Sequence, residues 1–271
     1  MNYAHTFLSD KKNNDFLIYQ TFSFLFARKN KLKINLYANI EHIEICKKIG
    51  LDYDNYIEIN KKDSQKYYWS SSKMEALKIS NDTIIDHDIF LLKDISDFIK
   101  NDVIYSHKEY IKNHNFYIED PLLVFKQSVP SNRIPEWDFL IENIYNNNHK
   151  VKQEAYLNYA FNCSIINFKD KNISKDYAIK SLLLFEYVNK KYKDISKIKN
   201  NIYLPTISEQ LFLSFYSKYH NLETLPLSNE NKNGSYIHLA HMKNHEYSKK
   251  ILNYIKINKP DIYENLLKFI V

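Results

Sequence analysis

Two carboxylates two residues apart, Asp86 and Asp88, follow a short apolar run, Thr83-Ile84-Ile85. The segment from Trp69 to Leu92 reads as a short amphipathic helix with Met74 and Leu77 inward, then a turn at Ser80-Asn81-Asp82. A buried strand from Thr83 to Ile85 delivers both acids at its end. Unpaired carboxylates in a core are very costly to desolvate, so acids at that edge call for a cation. Hard divalent ions such as Mg²⁺ or Mn²⁺ prefer oxygen ligands and keep positions open for water and substrate phosphate. The spacing therefore points to an Asp-x-Asp metal site that holds a nucleotide diphosphate. A blander reading stands beside it, with Asp86 capping a turn and Asp88 simply exposed.

The elements that must position these acids read as alternating strands and helices. Tyr3 to Leu8 is a plausible first strand, Asn14 to Lys29 an amphipathic helix, Lys33 to Tyr37 a second strand, and Ile40 to Ile49 a helix stopped by Gly50. That spacing begins an α/β fold with a parallel sheet, in which ligands bind beyond the C-terminal ends of the strands. Asp86 and Asp88 fall at such an edge. Further on, the pattern predicts a short helix over Leu91–Ile99, a strand over Val103–His107 and loop with some strand near Leu122–Phe125. Helix is expected over Glu136–Tyr145, strand over Ser164–Phe168 and helix over Lys175–Asn189. The tetrad Thr206-Ile-Ser-Glu209 has the capping-box pattern ahead of a helix face at Leu211, Phe212 and Phe215. A strand at Tyr236–Leu239 and helices at Tyr247–Ile257 and Asp261–Ile270 close the chain.

Composition narrows the chemistry. The 271 residues contain only two glycines, Gly50 and Gly234, so there is no P-loop, dinucleotide turn, kinase glycine loop or GxSxG elbow. A bound nucleotide would have to be held by metal and side chains. Cys46 and Cys163 form no CxxC pair, which suits a reducing compartment and excludes a cysteine-based zinc site. The Asp10–Asp15 stretch is polar where a secretory leader would be apolar, and no run approaches the roughly 18 apolar residues of a membrane span. The expected location is the cytoplasm, with peripheral contact at the inner face of the membrane left open. A net charge of +6 is spread as interspersed lysines with arginine nearly absent, which favours a solvated surface over a nucleic-acid partner.

Several stretches, in their order along the chain, resemble a known family. Lys73 stands thirteen positions before the Asp-x-Asp, Phe161-Asn162 is followed by small residues, Glu209-Gln210 opens a helix, and His238 begins a late motif ending at Lys243. In this order they resemble GT-A fold glycosyltransferases, above all the retaining group typified by glycogenin and the bacterial lipopolysaccharide galactosyltransferases, along with related uncharacterised bacterial proteins. The resemblance covers residues 1 to about 245. It implies a mixed central sheet flanked by helices, with a nucleotide-binding half over 1–107, a donor-sugar and acceptor half over 108–245, and a helical extension over 246–271. It also implies a hexosyltransferase. Such an enzyme would move a sugar from a nucleoside-diphosphate donor, UDP-sugar favoured, to a glycan or lipid-linked glycan acceptor in surface polysaccharide assembly, with retention of configuration and Mn²⁺ or Mg²⁺ as cofactor.

The roles follow position by position. Asp86, Asp88 and His238 match the metal ligands, with Asp86 also touching the ribose. Lys73 and Lys243 match basic residues at the nucleotide and diphosphate, Asn162 a contact to the donor sugar, and Glu209 and Gln210 an acid–amide pair beside the reacting carbon. The chain departs from the family pattern with His241 and Ser164 where glycine is common, Glu in place of Asp at 209, and Lys243 one residue early. Simpler local roles compete with these. The capping box alone accounts for Glu209; Lys73 could be a helix-surface lysine; and His238, His241 and His245 could form an all-histidine site if a turn gathers them. For the whole chain the alternatives are a non-catalytic nucleic-acid- or glycan-binding protein of the same fold, and a DxD phosphohydrolase.

Overall fold

The computed structural model describes residues 1–8, 14–60, 70–110, 159–191, 207–227, 234–239 and 245–270. Its first strand, β1 (Asn2–Phe7), buries Tyr3, Ala4 and His5 in succession, as a strand covered on both faces must. Helix α1 (Asn14–Lys29), β2 (Lys33–Ala38) and α2 (Ile40–Ile49) follow close to the expected bounds. Gly50 ends α2 with φ of 92°, its N–H donating to the Cys46 and Lys47 carbonyls. Then come β3 (Tyr56–Glu58), α3 (Ser71–Ile79), β4 (Thr83–Ile85) and β5 (Ile89–Leu91). After them stand a 3₁₀ turn at Ser96–Phe98, β6 (Val103–Tyr110), β7 (Tyr159–Phe168) and α4 (Lys171–Lys191). A single π turn (Ile207–Leu211) leads into α5 (Phe212–Tyr219), and β8 (Thr224–Pro226), β9 (Tyr236–His238), α6 (His245–Asn258) and α7 (Pro260–Ile270) complete the chain.

Seven strands form one sheet in the order β3-β2-β1-β4-β7-β6-β8. The sheet is mostly parallel; β7 alone runs against its neighbours β4 and β6. Alternate residues feed two cores, one on each face, as the period of two in a strand requires. Ala4, Tyr37, Ile84, Tyr105 and Ile166 pack with Met74 and Leu77 of α3, Tyr177 and Leu184 of α4, and Phe212 and Phe215 of α5. Tyr3, Leu36, Ile85, Ile104 and Ile165 pack on the other face with α1, α2, Ile251 and Ile255 of α6, and Leu266 of α7. The result is a sheet between two helical layers.

Connections from β1 run outward through β2 to β3, and the chain then returns to place β4 on the other side of β1. Such a reversal opens a crevice past the C-terminal ends of the two central strands, here β1 and β4. A smaller two-stranded sheet pairs β5 with β9, matching Ile89 to His238 and Leu91 to Tyr236.

The expected helix over Leu91–Ile99 is corrected. Ile89, Phe90 and Leu91 are buried in β5, and only Ser96–Phe98 coils, as a 3₁₀ turn. The deciding partner, β9, comes from the far end of the chain, beyond the reach of local periodicity. The expectations at Leu122–Phe125 and Glu136–Tyr145, together with Trp69, Thr206, His241 and Lys243, lie outside the described residues.

Candidate functional site

The site grows from the end of β4. Ile84 and Ile85 are apolar and buried, so the sheet carries the chain outward until Asp86, whose N–H donates to the Ser164 carbonyl at 2.8 Å. Ser164 sits in an irregular part of β7. Tyr105 pairs with Ile166 and His107 with Asn162, so Cys163, Ser164 and Ile165 all stand opposite Ser106. Bulges of this kind re-aim groups that a regular ladder would consume. Here the Cys163 carbonyl accepts a hydrogen bond from the Lys73 ammonium at 2.8 Å.

Lys73 rises from the first turn of α3 into the protein rather than into solvent, and it is 3% exposed. Its Nζ lies 2.9 Å from Asp86 Oδ1 and 2.6 Å from Glu209 Oε1. Burial alone would push this ammonium's pKa down. Asp86 and Glu209 outweigh that, and the net displacement is upward, so Lys73 stays charged. The helix-surface reading of Lys73 therefore fails.

Glu209 comes from the π turn before α5 and is fully buried. Its Oε2 accepts from the Ser70 hydroxyl, and its other oxygen faces Lys73. Burial pushes its pKa up, opposed by Lys73. The wider turn frees carbonyls that an α-helix would bond internally. Tyr177 Oη donates to the Glu209 carbonyl and Ser181 Oγ to the Ser208 carbonyl, each at 2.7 Å. Gln210 is buried beside it in the same turn.

A second pair stands where β5 meets β9. Asp88 is 1% exposed and its Oδ2 lies 3.4 Å from His238 Nε2. The Leu239 N–H donates to the Asp88 carbonyl at 3.2 Å, so backbone as well as side chain joins the two segments. Between the two groups stands Ser164. Its carbonyl receives Asp86, its N–H donates to Asn162 Oδ1 at 3.0 Å, and its hydroxyl is 3.5 Å from His238 Nδ1.

Asn162 extends the network to residues that the sequence alone did not mark. Its amide donates to Glu109 Oε1 at 2.9 Å, and the same oxygen is 3.0 Å from His107 Nε2. His107 and Glu109 are alternate residues of β6 and so share a strand face; that alternation was the available signal. Ser70 carried none. Beyond β1, Phe7 stacks on His42 with centroids 3.9 Å apart and meets Phe16 at 4.5 Å, while Phe16 meets His87 at 4.0 Å. These rings stand beside the Asp86–Asp88 turn.

The donor set suits a hard cation in part. Asp88 and His238 give a carboxylate and an imidazole, whereas Asp86 is engaged by Lys73. Among the described residues no three His, Cys, Asp or Glu side chains gather into a metal-binding group. Two protein donors are nevertheless what a nucleotide-bound ion commonly takes, with phosphate oxygens and water supplying the rest. No protein-family model matches the chain, and no curated protein is significantly similar to it in sequence.

Proposed function

We propose that this protein is a metal-dependent glycosyltransferase of the GT-A type, moving a sugar from a nucleoside-diphosphate donor to a glycan or lipid-linked glycan acceptor. The observation that carries the reading is the convergence on Ser164 of the Lys73–Asp86–Glu209 cluster, Asn162, and the Asp88–His238 pair. All of them lie at the C-terminal end of β4, where an open α/β sheet receives ligands. The mixed sheet between helical layers, with β7 antiparallel, also supports it.

The chemistry needs two opposite kinds of stabilisation. Negative charge grows on the departing diphosphate, and Asp88 with His238 would hold the Mn²⁺ or Mg²⁺ that neutralises it. The sugar meanwhile gains oxocarbenium character, which negative charge on the protein favours. Asp86 is the part-exposed acid of the cluster, so it is the one placed to face that charge. Glu209 has both oxygens occupied, and in this mechanism it is a positioning residue that fixes Lys73 and, through it, Asp86. Direct contact with donor falls to Asp86, Asn162 and Gln210, and retention of configuration is part of the proposal.

The test is donor turnover with water or glycan as acceptor in the presence of Mg²⁺, followed by NMR. Asp88→Ala is expected to lose on the order of 100-fold or more while keeping its circular dichroism spectrum. Wild-type turnover by that variant, or by metal-stripped protein, would contradict the proposal.

A further inference from the structure

Behind the Asp86–Asp88 turn, five buried polar side chains form an unbroken line through the layer between β1, α1 and α2. Ser23 Oγ donates to the Ile89 carbonyl, His5 Nε2 lies 2.9 Å from Ser23 Oγ, and His5 Nδ1 lies 2.8 Å from Tyr53 Oη. Gln20 Nε2 is 3.1 Å from Tyr53 Oη, and Gln20 Oε1 is 2.8 Å from His42 Nε2. His5, Gln20, Ser23, Tyr53 and His42 are all buried.

Proton counting gives this line one direction. The Ile89 carbonyl can only accept, so the single Ser23 proton goes there and His5 Nε2–H must donate to Ser23. Burial pushes both imidazoles down to about 3, so each is neutral at ordinary pH. His5 Nδ1 is therefore an acceptor and takes the Tyr53 proton. Tyr53 must then receive from the Gln20 amide, which leaves Gln20 Oε1 to accept from His42 Nε2–H. Each tautomer follows from its neighbour.

The far end of the line returns to the same turn. His42 stacks on Phe7, Phe7 touches Phe16, and Phe16 touches His87, the residue between the two acids. We propose that Ser23, His5, Tyr53, Gln20 and His42 form a positioning chain that holds the Asp86–Asp88 turn from behind while the Phe7–Phe16–His87 rings hold it from the side. The geometry stands on the fold alone, and only its consequence for metal binding rests on the glycosyltransferase reading. Groups behind a ligand commonly set its orientation, and losing one typically weakens metal affinity about 10–100-fold.

The experiment has two arms on the full chain. In metal-free protein, ¹⁵N NMR is expected to show His5 protonated at Nε2 only; a proton on Nδ1 would overturn the chain's direction. Amide exchange then separates positioning from general stability. The Ile89 and Leu239 amides bond to the Asp86 and Asp88 carbonyls at 3.0 and 3.2 Å, and the Leu36 amide bonds to the Asn55 carbonyl at 2.9 Å, away from the turn. In Ser23→Ala the first two are expected to exchange on the order of 10-fold faster relative to Leu36. Equal acceleration at all three would overturn the proposal. Tyr53→Phe removes only the linking oxygen and is expected to give the same local pattern, should Ser23→Ala fold poorly.

In the second arm, Mn²⁺ affinity is expected to fall about 10-fold in Ser23→Ala and to vanish in Asp88→Ala. Wild-type affinity in Ser23→Ala alone would overturn the functional consequence of the chain. Absence of Mn²⁺ binding in the wild type would instead remove the metal reading, leaving the exchange ratios to decide the positioning.

Discussion

Lys73 is the side chain on which the charge of the site turns. Removing its ammonium would leave Glu209 fully buried with Ser70 as its remaining partner. An uncompensated buried charge is strongly destabilising, so Lys73→Met is expected to lose about 3–5 kcal/mol in urea unfolding at neutral pH. The pH dependence carries a definite sign. Burial raises the Glu209 pKa, and the variant lacks the lysine that opposes the rise, so its folded carboxyl titrates above the unfolded value of 4.5. The unfolded chain then loses its proton first, and stability falls as pH climbs from about 4.5 toward the folded pKa. In the wild type the raised Lys73 pKa has the same sign but acts in a far more alkaline window: its contribution is complete below 10.5 and lost only as pH rises through the higher folded value. A Lys73→Met deficit that is constant from pH 4 to pH 8 would contradict this. At this scale the sequence marked Asp86 and Asp88 by their spacing after an apolar strand, and Lys73 and Glu209 only through the family resemblance. It did not show that Lys73 and Glu209 are partners, because α3 and the π turn meet only in three dimensions. The capping box that would explain Glu209 locally is not where its side chain goes.

Elements set the site by their endings and irregularities. Strand β4 stops after three residues, β7 carries extra residues opposite Ser106, and α5 begins with a π turn; each places a backbone or side-chain group where a regular element would not. Local pattern found the regular pieces well. α1 and α2 follow from apolar spacing, and the end of α2 from a glycine at a place where φ must be positive. That last inference can be tested away from the site. A Cβ at Gly50 would meet Ile262 Cγ1 at 3.8 Å, an ordinary contact, so backbone strain is what remains. Gly50→Ala is expected to lower stability by about 1–2 kcal/mol without altering donor turnover; a neutral or stabilising result would mean that α2 ends differently. Irregular pieces were less legible. The β7 bulge and the β5–β9 pairing depend on partners distant in sequence, and the helical spacing of Leu91–Ile99 masks the strand that ends at Leu91.

For the whole molecule, two cores on opposite faces of one sheet carry the stability, and the last helix belongs to one of them. Leu266 of α7 is fully buried in the cluster that contains α1 and α2 residues. Leu266→Ala is expected to cost about 2–5 kcal/mol and to shift a single unfolding transition. A separate early transition, with the rest of the protein unaffected, would instead mark residues 246–271 as an appendage. No helix among the described residues is long and apolar enough to cross a membrane. With Gly50 and Gly234 as the only glycines, the nucleotide of the proposed reaction would have to be held by side chains and metal rather than by a glycine-rich loop. The central claim is therefore best tested by a thermal-shift panel of wild type and Asp88→Ala against UDP-, GDP-, CMP- and dTDP-sugars, each with Mn²⁺, Mg²⁺ or EDTA. The expected result is a rise of roughly 5–10 °C with one nucleotide at about 100-fold excess over its Kd, present with metal and lost with EDTA or in Asp88→Ala. A flat wild-type panel, indistinguishable from that of Asp88→Ala, would contradict the account.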